Sequence, residues 1–525
     1  MARQNSHPSV SSAVASPSVI LGRAFILGGL MLIALAVRYS LFQLEPLIPK
    51  DGLSYTESGI NLVSGRGYVN DEGIFRGELQ PLFPLLVGLA NFVVPDPAFS
   101  GALVSMVIGS LLIWPVFRFC ETVYETKTAY TASAIIVAYP YLASYASRAL
   151  TEAAYTFFLF LTAWWGWLAF RRGRTSDYAW CGVFAGLAYL TRFEIAGYVL
   201  LYLLFVLAAS RGKRWKQLAL MTAIFVALIT PYHVYNWLVT GSPMFLGHIE
   251  NGLRYQVRVL RFGDVDSPWS SFFGSPARYA QHYIKGVEIA YTEYLPTLFP
   301  PLLIALAGAG LAAVLRRGDF GFTEIYLGAI IAVTLFGYPL LRPSGRNLTV
   351  ALPFLIVLLA KGITEISPVI ATYVPAMKQR AVSATAVAWI TTSIVCLSVL
   401  PQTYRPLLVG PDPILPIEFM EMGQWIQTTL PQAEALGTRD RRISFYAGIR
   451  GVFVGREYRY EDIVSEARKQ GVWYLALSAY GPSEIEWHAL QERIREKGEL
   501  RLVHSIDRRP NMAVQLYEFV GERTR

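Results

Sequence analysis

From Ala24 to Leu44 the chain carries an apolar run. Similar runs recur near 99–119, 128–147, 150–170, 179–192, 194–210, 217–238, 296–315, 323–341, 348–363 and 382–400. A hydrocarbon core of about 30 Å needs roughly 20 apolar residues per helix, so this pattern predicts about eleven membrane helices. Between the runs the pattern changes. Over 53–63, Leu53, Ile60 and Val63 fall near one helical face, with Ser54, Glu57, Ser58 and Asn61 elsewhere, which suits a short helix lying on the membrane surface. The run Pro81–Val94 is too brief to span comfortably and is expected to dock in the interface. Past Pro401, Val472–Leu477 and Met512–Phe519 read as strands. Glu461–Gln470 and Ser483–Lys497 read as amphipathic helices closed by Gly471 and Gly498. The fold class expected is a multi-span α-helical membrane protein with a small C-terminal α/β soluble domain.

Composition supports this. Hydrophobic residues make up 54% and charged residues 16%, too little polar surface to dissolve a chain of 525 residues. The 30 Tyr and 12 Trp suit aromatic belts at the two interfaces. A net charge of +9 raises the question of nucleic acid, but the excess lies in short clusters between apolar runs. These are Arg171, Arg172 and Arg174; Arg211, Lys213, Arg214 and Lys216; Arg316 and Arg317; and Lys378 with Arg380. Alternating from a cytoplasmic N-terminus places every cluster inside, so the charge reads as topology and no nucleic-acid partner is expected. The organisation expected is a disordered cytoplasmic segment 1–23, a membrane domain 24–400 with outer loops 45–98 and 239–295, and an α/β domain 401–525. The chain would then be a multi-pass protein of the inner (plasma) membrane with a periplasmic or extracellular C-terminal domain. The run from Ala24 is too long for a signal-peptide core. Cys120, Cys181 and Cys396 build neither a disulfide framework nor a metal-binding pair.

In this topology Arg148, Arg192, Arg342 and Arg346 fall at the outer ends of spans, where the positive-inside bias disfavours them. Guanidinium groups bind phosphate bidentately, and several together would hold one at headgroup level. The plainer alternative is snorkelling arginines at helix ends. Carboxylates share that side: Asp51 after the first span, Glu78 before the second short helix, and Glu152 and Glu194 opening the fourth and sixth spans. Asp51 also suits the N-cap of the surface helix, and Glu152 and Glu194 suit helix dipoles. A carboxylate facing a groove at this level can take a proton from an attacking hydroxyl. Asp51 with Glu78 would offer oxygen ligands to a divalent cation. His233, His248 and His282 fit no familiar metal spacing. A transporter or flippase of a lipid-linked or anionic substrate would place its charges in mid-membrane, often in repeated halves. Charges gathered at one face favour chemistry on an amphiphilic substrate. No Gly-rich phosphate loop appears.

Several segments resemble the GT-C fold of membrane glycosyltransferases, in the branch of protein O-mannosyltransferases and lipid A aminoarabinose transferases. They are Asp51-Gly-Leu-Ser-Tyr55, Asn61-Leu-Val-Ser-Gly-Arg-Gly-Tyr68, Gln80-Pro-Leu-Phe-Pro-Leu-Leu86 and Leu150-Thr-Glu152. Further along come Leu190-Thr-Arg-Phe-Glu194, Asn236 with Gly241-Ser-Pro243, and Gly345-Arg346-Asn347 before Leu352-Pro353. The resemblance runs from the first span to about Ile363. It implies transfer of a sugar from a polyprenyl phosphate to a hydroxyl of a lipid, glycan or protein acceptor, with inversion. It implies catalytic roles for Asp51 and Glu78 and donor-phosphate contacts from Arg192 and Arg346, to which Arg148 and Arg342 are added by their place at the outer ends of spans. Tyr55, Glu152, Glu194 and Asn236 are the implied substrate contacts. Many relatives carry a second acidic residue where this chain has Gly52, which bears on metal use. Phe193 and Asn347 also depart from the family's usual Pro and Tyr.

Overall fold

The protein is described by a computed structural model over residues 17–241, 274–316, 321–341, 345–380, 382–405, 415–455, 459–509 and 512–520. Each of the eleven apolar runs is helical. The first helix, α1, spans Pro17–Leu44, seven residues earlier than the apolar run suggests. Among the described residues, six helical stretches are long and apolar enough to cross a membrane alone: Ile20–Leu44, Pro97–Val123, Glu152–Arg172, Trp215–Thr240, Gly345–Tyr373 and Ala384–Thr403. The pair Pro276–Leu298 and Pro301–Ala312, bent by 93°, passes the same test only when its two helices are taken together, as a broken span or a re-entrant loop. The other predicted spans are shorter helices, among them Thr175–Tyr189 and Ile195–Ala209. The run 128–147 is broken where Tyr139 turns extended, because Pro140 excludes the helical conformation from the residue before it.

The chain divides into two compact units. The first comprises residues up to Ser40, Ser105–Ser147 and Thr151–Thr403. Its core is aromatic: Phe160 stacks on Phe354 at 5.0 Å and meets Phe119 edge-on at 5.7 Å. The helices Glu152–Arg172 and Thr175–Tyr189 pack together across a tight link, which Gly173 enables by adopting a left-handed conformation after Arg171 and Arg172.

The second unit comprises Leu41–Val104, Arg148–Leu150 and the chain from Tyr404 onward. Its first part holds α2 (Lys50–Val63) and α3 (Leu82–Val93), the two short helices expected. A Cβ at Gly59 would lie 2.0 Å from the Pro84 carbonyl oxygen, so the helices cross with backbones in contact, as small residues permit. Asp51 is not the N-cap of α2. The helix begins at Lys50 after Pro49, and Asp51 lies inside the first turn. The C-terminal part is a five-stranded sheet of β1 (Ala435–Thr438), β2 (Arg450–Phe453), β3 (Tyr474–Ser478), β4 (Leu500–Ile506) and β5 (Val514–Phe519), in the order β2-β1-β3-β5-β4. The first three strands are parallel, while β5 runs antiparallel to both β3 and β4. The expected helices appear at Tyr460–Lys469 and Glu484–Lys497. The latter starts with a capping box of Ser483 and Glu486 and ends at a left-handed Gly498.

Candidate functional site

Each unit carries a network of charged side chains. In the first, Glu152 opens its helix and is buried, Arg192 and Glu194 occupy the link ahead of Ile195–Ala209, and Arg346 and Asn347 sit on the short helix Gly345–Leu348. The fold brings all five together. The Arg192 guanidinium donates to Glu152 Oε1 at 3.0 Å, to Glu194 Oε1 at 3.1 and 2.7 Å, and to Asn347 Oδ1 at 3.1 Å. It also lies 5.8 Å from the Tyr155 ring centre. Arg346 donates through Nε to the same Glu152 oxygen. Arg192 thus spends four of a guanidinium's five N–H donors inside the network, which makes it a strut that fixes both carboxylates. Asn347, where the resemblance expects a tyrosine, takes one of those four.

Glu152 Oε2, by contrast, is buried without a hydrogen-bond partner. It shares a cavity with Arg38, a residue that passes unnoticed within the first apolar run. Arg38 is fully buried. It donates through Nη1 to the Ala34 carbonyl at 2.9 Å, and its Nε and Nη2 find no partner. Gly109 makes room for it, since a Cβ there would lie 3.2 Å from Arg38 Nε and 2.6 Å from the Ala146 Cβ. The cavity leaves about 10 Å³ open to the centre of a water molecule, room for one water between guanidinium and carboxylate. Three guanidiniums and two carboxylates leave this group one positive charge in excess. Such groups, fixed in advance in a dry setting, are suited to an oxyanion.

The remaining arginines behave differently. Arg148 belongs to the second unit and pairs with Glu45 at 2.6 Å. Arg342 lies outside the described residues, as does His248. Asn236 is buried in the first unit with neither side-chain polar atom bonded. His233 meets the Tyr189 hydroxyl at 2.9 Å, a packing role.

In the second unit Asp51 is exposed on the first turn of α2, and Ser54 follows one turn later. Arg76 reaches this face, donating to Ser54 Oγ at 3.4 Å and to Glu78 Oε1 at 2.5 Å. The loop bearing Arg76 and Glu78 is pinned by Asn61 Nδ2 on the Val69 carbonyl at 2.9 Å and by the Tyr68 hydroxyl on the Leu79 carbonyl at 3.0 Å. Tyr55 packs edge-on against Phe83 at 5.5 Å. Glu78 therefore answers to a guanidinium, and among the described residues no three His, Cys, Asp or Glu side chains gather as metal ligands. Asp51 and Glu78 would offer a hard divalent cation at most two carboxylates, leaving its other oxygens to water or a substrate phosphate.

The carboxylate that α2 buries is Glu57, 4% exposed. Both its oxygens accept from Arg441 Nη2, at 2.9 and 2.8 Å, and Arg441 Nε lies 3.4 Å from Glu72. Burial raises the Glu57 carboxyl to about 7, against the pull of Arg441. Lys50 pairs with Asp440 at 3.3 Å, and the Tyr446 hydroxyl accepts from Ile48 N–H at 2.8 Å and donates to the Pro46 carbonyl at 3.2 Å. The C-terminal domain so grips α2 and the residues just before it, from Pro46 to Glu57. Burial works against the Asp440 charge too, but its bonds from Arg442 and the Lys50 ammonium hold that carboxyl below its ordinary range.

Residues 79–237 match a family described as dolichyl-phosphate-mannose-protein mannosyltransferase. No curated protein matches the chain in sequence. Among solved structures, ArnT from Cupriavidus metallidurans bound to undecaprenyl phosphate is similar over 95% of this chain and 98% of its own, with a TM-score of 0.62 and 14% identity. The archaeal oligosaccharyltransferase AglB from Archaeoglobus fulgidus, in complex with an inhibitory peptide and a dolichol-phosphate, is similar over 87% and 70%, with a TM-score of 0.55 and 13% identity. The chain shares their fold, the GT-C type.

Proposed function

We propose that the chain is a glycosyltransferase that moves a sugar from a polyprenyl phosphate to an acceptor hydroxyl at the outer face of the membrane. The observation that carries this reading is the guanidinium–carboxylate network of Glu152, Arg192, Glu194 and Arg346, fixed in advance and one positive charge in excess with Arg38. A lipid-linked sugar phosphodiester carries one negative charge and meets that excess. The matching family and the two similar structures support the same class of donor, being described with dolichyl phosphate or bound to undecaprenyl phosphate and dolichol-phosphate.

Mechanistically, Asp51 accepts the proton of the acceptor hydroxyl while its oxygen attacks the anomeric carbon. The bond from that carbon to the phosphate oxygen breaks, and its electron pair leaves on the carrier phosphate, which becomes a dianion. A single displacement inverts the anomeric centre. Arg192 and Arg346 are the donor-phosphate contacts that the first unit offers, and in the second Glu78 with Arg76 orders the loop beside Asp51 and Ser54. In this reading residues 24–400 form the membrane domain, with the domain 401–525 on the outer side.

Membranes containing the protein should transfer labelled sugar from a synthetic polyprenyl phosphate donor, and cells lacking it should accumulate the loaded carrier. Unchanged carriers and glycans in such cells would refute the reading. Arg38, a charge buried inside a span, favours a transporter. Passage of the lipid-linked sugar across protein-containing vesicles without its consumption would establish that alternative.

A further inference from the structure

The sheet of the second unit has an opening that the transfer chemistry does not use. From β1 the chain passes through Arg441–Ala447 to β2 on one side, and from β2 through Tyr460–Lys469 to β3 on the other side of β1. From β3 the chain leaves through Glu484–Lys497 to β4, away from β1, so the connections leaving the carboxyl ends of β1 and β3 diverge. In open α/β sheets ligands bind in the crevice at such a switch point. Here that place holds a cavity of about 240 Å³, lined by Arg439 and Asp440 after β1, by Ser478 and Tyr480 at the end of β3, and by Phe453 and Lys50. A water molecule's share of liquid volume is about 30 Å³, so the cavity exceeds what a bare inorganic anion needs and accommodates a sugar ring.

Its chemistry narrows the ligand. Asp440 is already met by Arg442, bidentate at 2.8 and 2.9 Å. Lys50 lies over the Tyr480 ring at 5.5 Å with 64% of its side chain exposed, and Arg439 lies over Phe453 at 5.9 Å. Two cations carried on aromatic faces, beside a serine hydroxyl, suit a molecule that joins an anion to a polyhydroxylated ring. Lys50 directly precedes Asp51, so a ligand held here is held one residue from the base proposed above. We propose that this crevice is an anionic acceptor subsite that takes a phosphorylated saccharide. The proposal rests on the transferase reading for its role, though not for its existence as a binding site.

Titration of the full-length protein in detergent with glucose 1-phosphate, glucose and inorganic phosphate tests it. Glucose 1-phosphate should bind at least about tenfold more tightly than either fragment, as one charge-assisted contact added to ring contacts predicts. Arg439→Ala should lose about tenfold, Arg439→Lys should recover part of it, and Ser478→Trp should block the crevice. Retention of undecaprenyl phosphate binding by all three variants shows that they are folded. Equal binding of glucose and glucose 1-phosphate, or variants that bind glucose 1-phosphate as the parent does, would overturn the site. Inorganic phosphate binding as tightly as the sugar phosphate would overturn the saccharide assignment. In transfer assays the same variants should raise the acceptor KM and leave the donor KM unchanged. Transfer with an unaltered acceptor KM removes this subsite and leaves the transferase standing. Absence of any transfer by the parent chain, with glucose 1-phosphate still bound and lost in Arg439→Ala, removes the transferase and leaves the site.

Discussion

Two buried glutamates, one in each unit, are paired with arginine in opposite ways. Glu57 places both oxygens on the single guanidinium of Arg441. Glu152 gives one oxygen to two guanidiniums and leaves the other unbonded beside a third. A saturated pair has little left to offer a ligand and is costly to break, so it serves as a lock. A frame with an unbonded carboxylate oxygen and surplus positive charge is organised for something yet to arrive. The contrast separates a side-chain pair whose bonds are all made from a network with bonds still unmade, a distinction that burial alone does not make.

That separation can be broken in several ways. The severest is Asp51→Asn, which should lower kcat by about 10³-fold, within the range of a lost general base, while undecaprenyl phosphate binding persists. Near-parental turnover would remove Asp51 from the chemistry. Next, Glu152→Gln should lower kcat/KM by about 10²-fold through the loosened arginine frame, whereas Glu57→Gln should leave transfer within about threefold. Equal effects would erase the comparison. Third, Arg441→Met should cost about 3 kcal/mol, because it strands the Glu57 carboxylate, and Glu57→Met in the same chain should restore most of it.

The pH dependence of this last loss has a definite sign. The Glu57 carboxyl is raised to about 7 from an ordinary 4.5, so the folded state binds its proton more tightly than the unfolded chain does. Its contribution to stability is full below the ordinary value and is lost as pH rises through 7. Without Arg441 the carboxyl moves higher still. The deficit of Arg441→Met should therefore be small at pH 5 and grow above pH 7, read as the difference in melting temperature from the parent. The smallest effect belongs to Arg38→Met and Gly109→Ala, which should raise the donor KM about fivefold, with Arg38→Lys recovering part. A loss of kcat with the donor KM unchanged would place Arg38 outside the donor frame.

The long apolar runs were readable because a span announces itself by length, and α2 because its apolar positions share a face. The helix Glu484–Lys497 was readable from its amphipathic pattern and closing glycine. In contrast β1, Ala-Leu-Gly-Thr, and β2, Arg-Gly-Val-Phe, are four residues each and show no alternation that local pattern can detect. The arginines 192 and 346 and glutamates 152 and 194 stood out by their side of the membrane, and the fold gathers them. Glu57 read as the wet side of a surface helix, because its partner is 384 residues away and no local period encodes such a pairing. Arg38 escaped notice because one charge inside an apolar run looks like an interruption. Its meaning lies in the gap beside Gly109 and in Glu152, both distant in sequence.

The grip of Arg441, Asp440 and Tyr446 on α2 also sets an order of events during biosynthesis. The helix carrying Asp51 emerges among the first segments, while its fastenings come 384 residues later. At about 5–20 residues per second, Glu57 waits on the order of twenty seconds to more than a minute for its counter-ion. A chain cut short before Arg441 keeps every membrane helix and still lacks the means to seat that segment. Until the last domain is made, the buried carboxylate of the first acidic helix has no counter-ion.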